Sequence, residues 1–210
     1  MNKTAVVLVL MLNIISSCAS SIKTEHPTSA IRTIFSSLPA SIFDHTTEGI
    51  SKEEMSVLSY GLDSKNWKVS AINSNQLSVQ CKHPSSTLRL FTYPMGENRA
   101  VVIYTDNGGS SDIQTWTFNS SNKTVSKRQL LPKVSINDFY AKSEKLENPQ
   151  RYNGNIIVTL EIDGTLVYEI NSWMDERLGQ KVISYDLSAV WDGQRFTLKK
   201  SASKAYKTFY

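Results

Sequence analysis

The chain has 210 residues, a formal net charge of +4 and a mean hydropathy of −0.28, with 10% aromatic residues. That is enough chain and apolar content for one good core and marginal for two. The basic excess is mild and spread out; its densest cluster, Lys199-Lys200 with Lys204 and Lys207 beyond, reads as a solvated terminus, which argues against a nucleic-acid partner.

Met1 to Ala19 comes first and is read as an address. Lys3 supplies a positive start, Ala5 to Leu12 is an unbroken apolar run, and Ile15-Ser16-Ser17-Cys18-Ala19 closes on small residues and a cysteine. These are the three parts of a secretory signal. The apolar run is too short to span a bilayer, which takes about 20 residues. Ile15-Ser16-Ser17-Cys18 resembles the lipobox of bacterial lipoprotein precursors, and the resemblance stops at about residue 19. It implies diacylglycerol on the Cys18 sulfur, cleavage between Ser17 and Cys18, and an acylated amino terminus. With Ala19 rather than Asp after the cysteine, it further implies an outer-membrane anchor, the domain lying in the periplasm or at the cell surface. Several acyl chains hold a protein stably where one does not. The expected division is therefore signal peptide 1–17, lipidated Cys18 and tether 18–28, and a single mainly-β domain 29–210.

Only two cysteines occur, at 18 and 81. If Cys18 carries lipid, Cys81 has no intramolecular partner and the body holds together without a disulfide. Cys81 shares strand parity with Leu77 and Val79 and reads as a small buried apolar residue. A catalytic thiol would need a base, and the near candidate, His83, shares its strand face only if the strand runs that far, which Pro84 opposes.

Ile31, Ile34, Phe35 and Leu38 fall at i, i+3, i+4 and i+7 and predict a helix over 29–38, with Ser29 as a cap and Pro39 as a stop. Ser51-Lys52-Glu53-Glu54 is a capping box, which predicts a second helix over 52–60 with Met55, Leu58 and Leu62 on one face and Gly61 as a left-handed stop.

From Trp67 the apolar period changes to two. Trp67, Val69 and Ala71 alternate, as do Leu77, Val79 and Cys81. Leu88 to Tyr93, ending at Pro94, is the next strand, followed by Ala100 to Thr105. Ile113, Thr115 and Thr117 then face away from Trp116 and Phe118, and Val125 marks a short strand. Such spacing indicates an antiparallel meander. Ser135 caps a predicted short helix near 135–142, and Glu144 to Asn153 reads as a polar loop.

Two Asp-Gly turns organise the end of the chain. Around Asp163-Gly164, a three-residue loop sets Leu160 against Leu166, Val158 against Tyr168 and Ile156 against Ile170, whereas a two-residue loop would set apolar residues against polar ones. Around Asp192-Gly193, a two-residue turn would pair Ala189 with Phe196 and Leu187 with Leu198, with Trp191 opposite Gln194. The predicted fold class is α+β, a mainly antiparallel meander forming a bent sheet or sandwich, with two N-terminal helices.

No motif specifies an activity. Asp44-His45-Thr46-Thr47 collects an acid, a base and hydroxyls, yet adjacency is not a triad, and the group reads as a polar turn. Asp106 to Asp112 could offer oxygens to Ca²⁺ but lacks the alternating ligands of an EF-hand loop. Asp175-Glu176 could serve hydrolysis only opposite another carboxylate across a cleft. The Asn119 and Asn122 sequons read as turn residues. Trp116 and Trp191 lie on strands and read as core, which leaves Trp173 as the surface residue best suited to a ligand. No catalytic, cofactor or metal residues are assigned. The expectation is a lipid-anchored envelope protein with a non-enzymatic binding or assembly role, its partners the membrane through Cys18 and an envelope protein. The alternatives are a glycan-binding or enzyme-inhibitor module, or a hydrolase.

Overall fold

A computed structural model describes residues 29–44, 46, 48–83, 86–141, 145, 147–170 and 185–202. Within them two helices, α1 (Ser29–Ser37) and α2 (Lys52–Ser59), precede ten strands in two antiparallel sheets. The first sheet runs β1 (Trp67–Ile72), β2 (Gln76–Cys81), β3 (Thr87–Met95), β4 (Asn98–Asp106), β5 (Ser111–Asn119) and β6 (Thr124–Lys127), each strand bonded to the one before it. The second contains β7 (Ile156–Leu160), β8 (Leu166–Ile170), β9 (Tyr185–Trp191) and β10 (Phe196–Ala202), again in sequence order. The class is α+β with antiparallel sheets, as the periodicities predict. No helix among the described residues is long and apolar enough to cross a membrane.

Strand parity builds three layers. On β3 and β4, Leu88, Leu90, Val101 and Ile103 face the helices and join Ile31, Ile34, Phe35, Leu38, Met55 and Leu58 in one core. Phe91, Ala100, Val102 and Tyr104 face the other way, onto Leu160, Leu166, Tyr168, Leu187, Ala189 and Phe196 of the second sheet. The first sheet is thus covered on both faces, which explains why Val101-Val102-Ile103-Tyr104 is an unbroken apolar run with all four residues buried.

The helical stripe of α1 is fully buried. At its end the Lys52 ammonium donates to the Leu38 carbonyl at 2.9 Å, a cation where a helix terminus leaves acceptors open. The capping box of α2 forms: Glu54 N–H donates to Ser51 Oγ and Ser51 N–H to Glu54. Glu54 also accepts from the Ser64 hydroxyl and the Asn66 N–H, so the cap ties α2 to the entry of β1. The chain leaves α2 through Gly61 at φ +77°. That turn puts Leu62 outside, 62% exposed, so it does not extend the face of Met55 and Leu58.

Two other local readings change. In β1 the register shifts between Val69 and Ala71, leaving Ser70 as the extra residue of a bulge. Ile72, not Ala71, therefore reaches the core. And β3 continues through Pro94 to Met95. The Thr92 N–H already bonds to Asn75 in the β1–β2 turn, so β2 has ended where Pro94 would need a partner for an N–H it lacks.

The hairpin at Asp163-Gly164 has the predicted register, with Ile156 opposite Ile170, Val158 opposite Tyr168 and Leu160 opposite Leu166. Gly164 sits at φ +86° in the three-residue loop. The hairpin at Gly193 does not. Trp191 pairs with Phe196, Ala189 with Leu198 and Leu187 with Lys200, two positions from the predicted pairing. The turn is Gly193-Gln194, closed by Asp192 N–H to the Arg195 carbonyl at 3.0 Å. The Asp192 carboxylate accepts from the N–H groups of Gln194 and Arg195, and these bonds hold its carboxyl below the usual range. Asp192 is therefore the residue before the turn, and Gly193, at φ +100°, occupies the first central position, where a two-residue hairpin favours glycine.

The predicted short helix is a 3-10 turn, Ile136–Asp138, closed by a Ser135–Asp138 capping box. The polar loop after it contains another 3-10 stretch, Pro149–Asn155.

Candidate functional site

The two sheets touch through side chains that cross between them. The Tyr93 hydroxyl donates to the Gly164 carbonyl at 2.6 Å, Trp191 Nε1 donates to the Pro94 carbonyl at 2.8 Å, and the Arg89 guanidinium donates to the Leu160 carbonyl. Tyr93, Trp191 and Phe196 pack as an aromatic trio with centroids 5.0 to 5.6 Å apart. Desolvation in this seam, with the Asp163 carboxylate adding to it, pushes the Tyr93 phenol well above its ordinary range.

Beyond this seam, near the β4–β5 turn, β5 and β7 come into contact. A cleft of about 550 Å³ opens between the end of the first sheet (Tyr104, Asp106, and Gly108 to Ile113) and β7 with its approach (Gly154 and Ile156 to Val158). One wall is polar, with Asp106, Ser110 and Ser111, while the Asp112 carboxylate, on the helix-facing side of the sheet opposite Thr105, bonds to Gln114; the other wall is β7, with Ile157 38% exposed. Tyr104 lies at its inner end. Burial and the nearby Asp106 charge raise its phenol above the ordinary value, against weaker opposing contributions from Ser111, Arg89 and Thr159.

The Asp106–Asp112 turn was the sequence's oxygen-rich candidate for Ca²⁺. The structure gives its oxygens work inside the turn. Asp106 Oδ1 accepts from Gly108 N–H at 2.8 Å, and Asn107 Oδ1 accepts from Gly109 N–H, Ser110 N–H and the Ser110 hydroxyl. Asp112 accepts from the Gln114 amide. The Asp106 and Asn107 bonds to backbone N–H groups are Asx turns of the kind a tight strand connection uses. No group of three His, Cys, Asp or Glu side chains converges among the described residues.

Cys81 is buried and unpaired in any disulfide; its thiol donates to the His83 carbonyl at 2.8 Å, so His83 meets it through backbone rather than imidazole. In the Asp44–Thr47 stretch, Thr46 is buried and donates to the Phe43 carbonyl at 2.7 Å, closing a turn. His45 and Thr47 lie outside the described residues, as do Cys18, His26, Trp173 and Asp175-Glu176-Arg177. The Asn119 and Asn122 side chains accept from N–H groups two or three residues on, as turn residues do. Trp116 and Trp191 are partly buried, each packed against a core cluster.

The cleft unites Asp106, which the sequence singles out for a different chemistry, with Ile156 to Val158, which it assigns to a hairpin alone. About fifty residues separate the two walls, so no local pattern signals their meeting. Comparison with family models, with curated proteins and with solved structures finds no match for this chain.

Proposed function

We propose that the chain is a lipid-tethered envelope protein whose domain binds a partner or supports an assembly. The observation that carries the binding role is the open cleft between the ends of the two sheets, where a polar wall carrying Asp106 faces a partly apolar strand. The Ile15–Cys18 lipobox supports the tether, with acyl chains on Cys18 as the membrane contact and Ala19 favouring an outer-membrane anchor. The domain then works in the periplasm or at the cell surface.

Metabolic labelling with an acyl probe tests the tether. Label is expected on the native chain and is lost in Cys18→Ala; a labelled Cys18→Ala protein refutes it. Affinity capture from detergent-solubilised envelope, read by mass spectrometry, tests the role. A partner enriched over the Cys18→Ala control supports it. No enrichment, together with turnover in a hydrolase panel, overturns it in favour of an enzyme.

A further inference from the structure

The helix layer carries exposed apolar and basic side chains where the expected tether joins the fold. On α1 the stripe Ile31, Ile34, Phe35 and Leu38 points into the core and exposed Ser36 points out, which sets Arg32 on one flank of the outward face and Ala30 with Thr33 on the other. The Arg32 guanidinium lies 3.6 Å above the Tyr60 ring. Tyr60 is 54% exposed, and exposed Val57 and Leu62 lie beside it in sequence. On the other flank, Ala30 and Thr33 line a cavity of about 230 Å³ with Arg99, Phe118, Ser120 and Lys123. No carboxylate lines it, and Arg32, Arg99 and Lys123 have no carboxylate partner among the described residues. Arg99 donates through Nη1 to Asn75 and Thr92; its Nε and Nη2 have no partner among the described residues. The acids of α2 and its exit are engaged elsewhere. Glu53 is held by Ser51 and its own N–H, Glu54 by the cap and the entry of β1, and Asp63 by the Val69 N–H.

Eleven residues, 18–28, separate Cys18 from α1, at most about 40 Å of chain. With Cys18 acylated, the tether holds this face at a high effective concentration of lipid headgroups, so a weak contact suffices. We propose that the face around α1 lies on the phospholipid surface that holds Cys18, with Arg32, Arg99 and Lys123 on anionic headgroups and Tyr60 and Leu62 in the interfacial layer. This rests on the tether reading above and adds the orientation of the domain. A guanidinium pairs with phosphate through two parallel N–H bonds, and tyrosine places a polar tip and an apolar body at headgroup level. The second sheet, packed on the far face of the first, is then held away from the bilayer.

The test reconstitutes the full acylated chain into vesicles of phosphatidylcholine with about one third phosphatidylglycerol, and into phosphatidylcholine alone. A nitroxide is placed on Leu62→Cys or, as the control, on Val190→Cys, an exposed position on the outward face of the second sheet. Cys81 is buried and does not compete for the label. Spin relaxation by oxygen and by a water-soluble nickel complex reports depth. The Leu62 probe is expected to be shielded from nickel in the anionic vesicles, and the Val190 probe to be accessible in both. Each cation at an anionic surface changes the docked-to-free ratio about fivefold, so Arg99→Gln with Lys123→Asn lowers it about twenty-five-fold. Asparagine suits the left-handed φ of +59° at Lys123. High salt acts in the same direction, and Tyr60→Ser reduces the shielding through the apolar contact. A cooperative thermal transition in each variant shows that the fold is intact.

Equal nickel access at Leu62 and Val190 in the anionic vesicles overturns the proposal. So does shielding of Leu62 that is undiminished in phosphatidylcholine alone, which assigns the face to a second copy or a protein partner. Equal access in a chain that carries acyl label refutes docking and leaves the tether standing, whereas a chain without acyl label loses both.

Discussion

Replacing Gly164 by alanine separates two costs that a hairpin glycine usually hides. Gly164 has φ +86°, and a Cβ built there lies 2.9 Å from Phe91 Cδ1, 3.0 Å from Phe91 Cε1 and 3.1 Å from the Tyr93 hydroxyl oxygen. Gly193 has φ +100° and nothing within 4 Å of the same atom. Both substitutions therefore incur the left-handed backbone cost of about 1–2 kcal/mol. Only Gly164→Ala must also move a ring that belongs to the inter-sheet core and a hydroxyl that donates to Gly164 itself. Overpacking of this kind costs about 1–3 kcal/mol, and a weakened Tyr93 hydrogen bond adds about 1 kcal/mol. The expected loss is about 3–6 kcal/mol for Gly164→Ala against about 1–2 kcal/mol for Gly193→Ala. Urea unfolding monitored by tryptophan fluorescence measures both, with midpoints compared at constant slope. If the two variants fall within about 0.5 kcal/mol of each other, within the scatter of independent sites, the close approach of Phe91 is not a constraint and the reasoning fails.

Trp67→Phe removes a fully buried indole whose Nε1 donates to the Gly49 carbonyl at 2.8 Å, and is expected to cost about 2–3 kcal/mol in the same unfolding assay. Tyr168→Phe should leave stability unchanged or raise it. The Tyr168 hydroxyl is buried with no hydrogen-bond partner among the described residues, and desolvation pushes its pKa up to about 12. Asp138 is held below its ordinary carboxyl range: burial works to raise it, but bonds from the Lys200 ammonium at 2.8 Å and from Ser135 N–H prevail, with the Lys200 and Lys145 charges adding to them. Because its folded pKa is depressed, its stabilisation is complete above the unfolded carboxyl value near 4 and is lost as pH falls below it. Asp138→Asn is expected to cost about 0.5–1 kcal/mol at pH 7, the pair being partly exposed, and in thermal melts the difference from the native protein should shrink progressively as pH falls below about 4.

The two Asp-Gly hairpins show which information a sequence holds. At Asp163-Gly164 the competing registers differ by one residue, and one residue exchanges the faces of every side chain, so the apolar pattern chooses between them. At Asp192-Gly193 the predicted and observed registers differ by two. A shift of two keeps Leu187, Ala189, Phe196 and Leu198 on their face, so the pattern is silent and the turn decides. The decisive chemistry, the Asp192 carboxylate accepting from Gln194 and Arg195, was present in the sequence as an Asx residue followed by glycine. The same shift sets Lys200 opposite Leu187, near the sheet's end, where it reaches Asp138.

The α2 capping box was legible because every partner lies within four residues. The bulge at Ser70 was not, since it depends on which residues of β2 stand opposite. The cleft was the least legible feature. Each wall is an ordinary strand end, and only stacking the second sheet on the Phe91, Val102 and Tyr104 face brings Asp106 near Ile157.

The strictly sequential order of both sheets bears on how the fold is reached. Each strand's hydrogen-bonding neighbour is the one that immediately precedes it, so every pairing closes only the short stretch of chain between two consecutive strands. Loop-closure entropy is small for such steps, and low contact order goes with fast folding. The first sheet and its helices lie wholly within residues 29–127, before the second sheet begins. A chain emerging from its amino end can therefore lay down six strands in succession and offer Phe91, Val102 and Tyr104 as a finished surface on which the last four assemble.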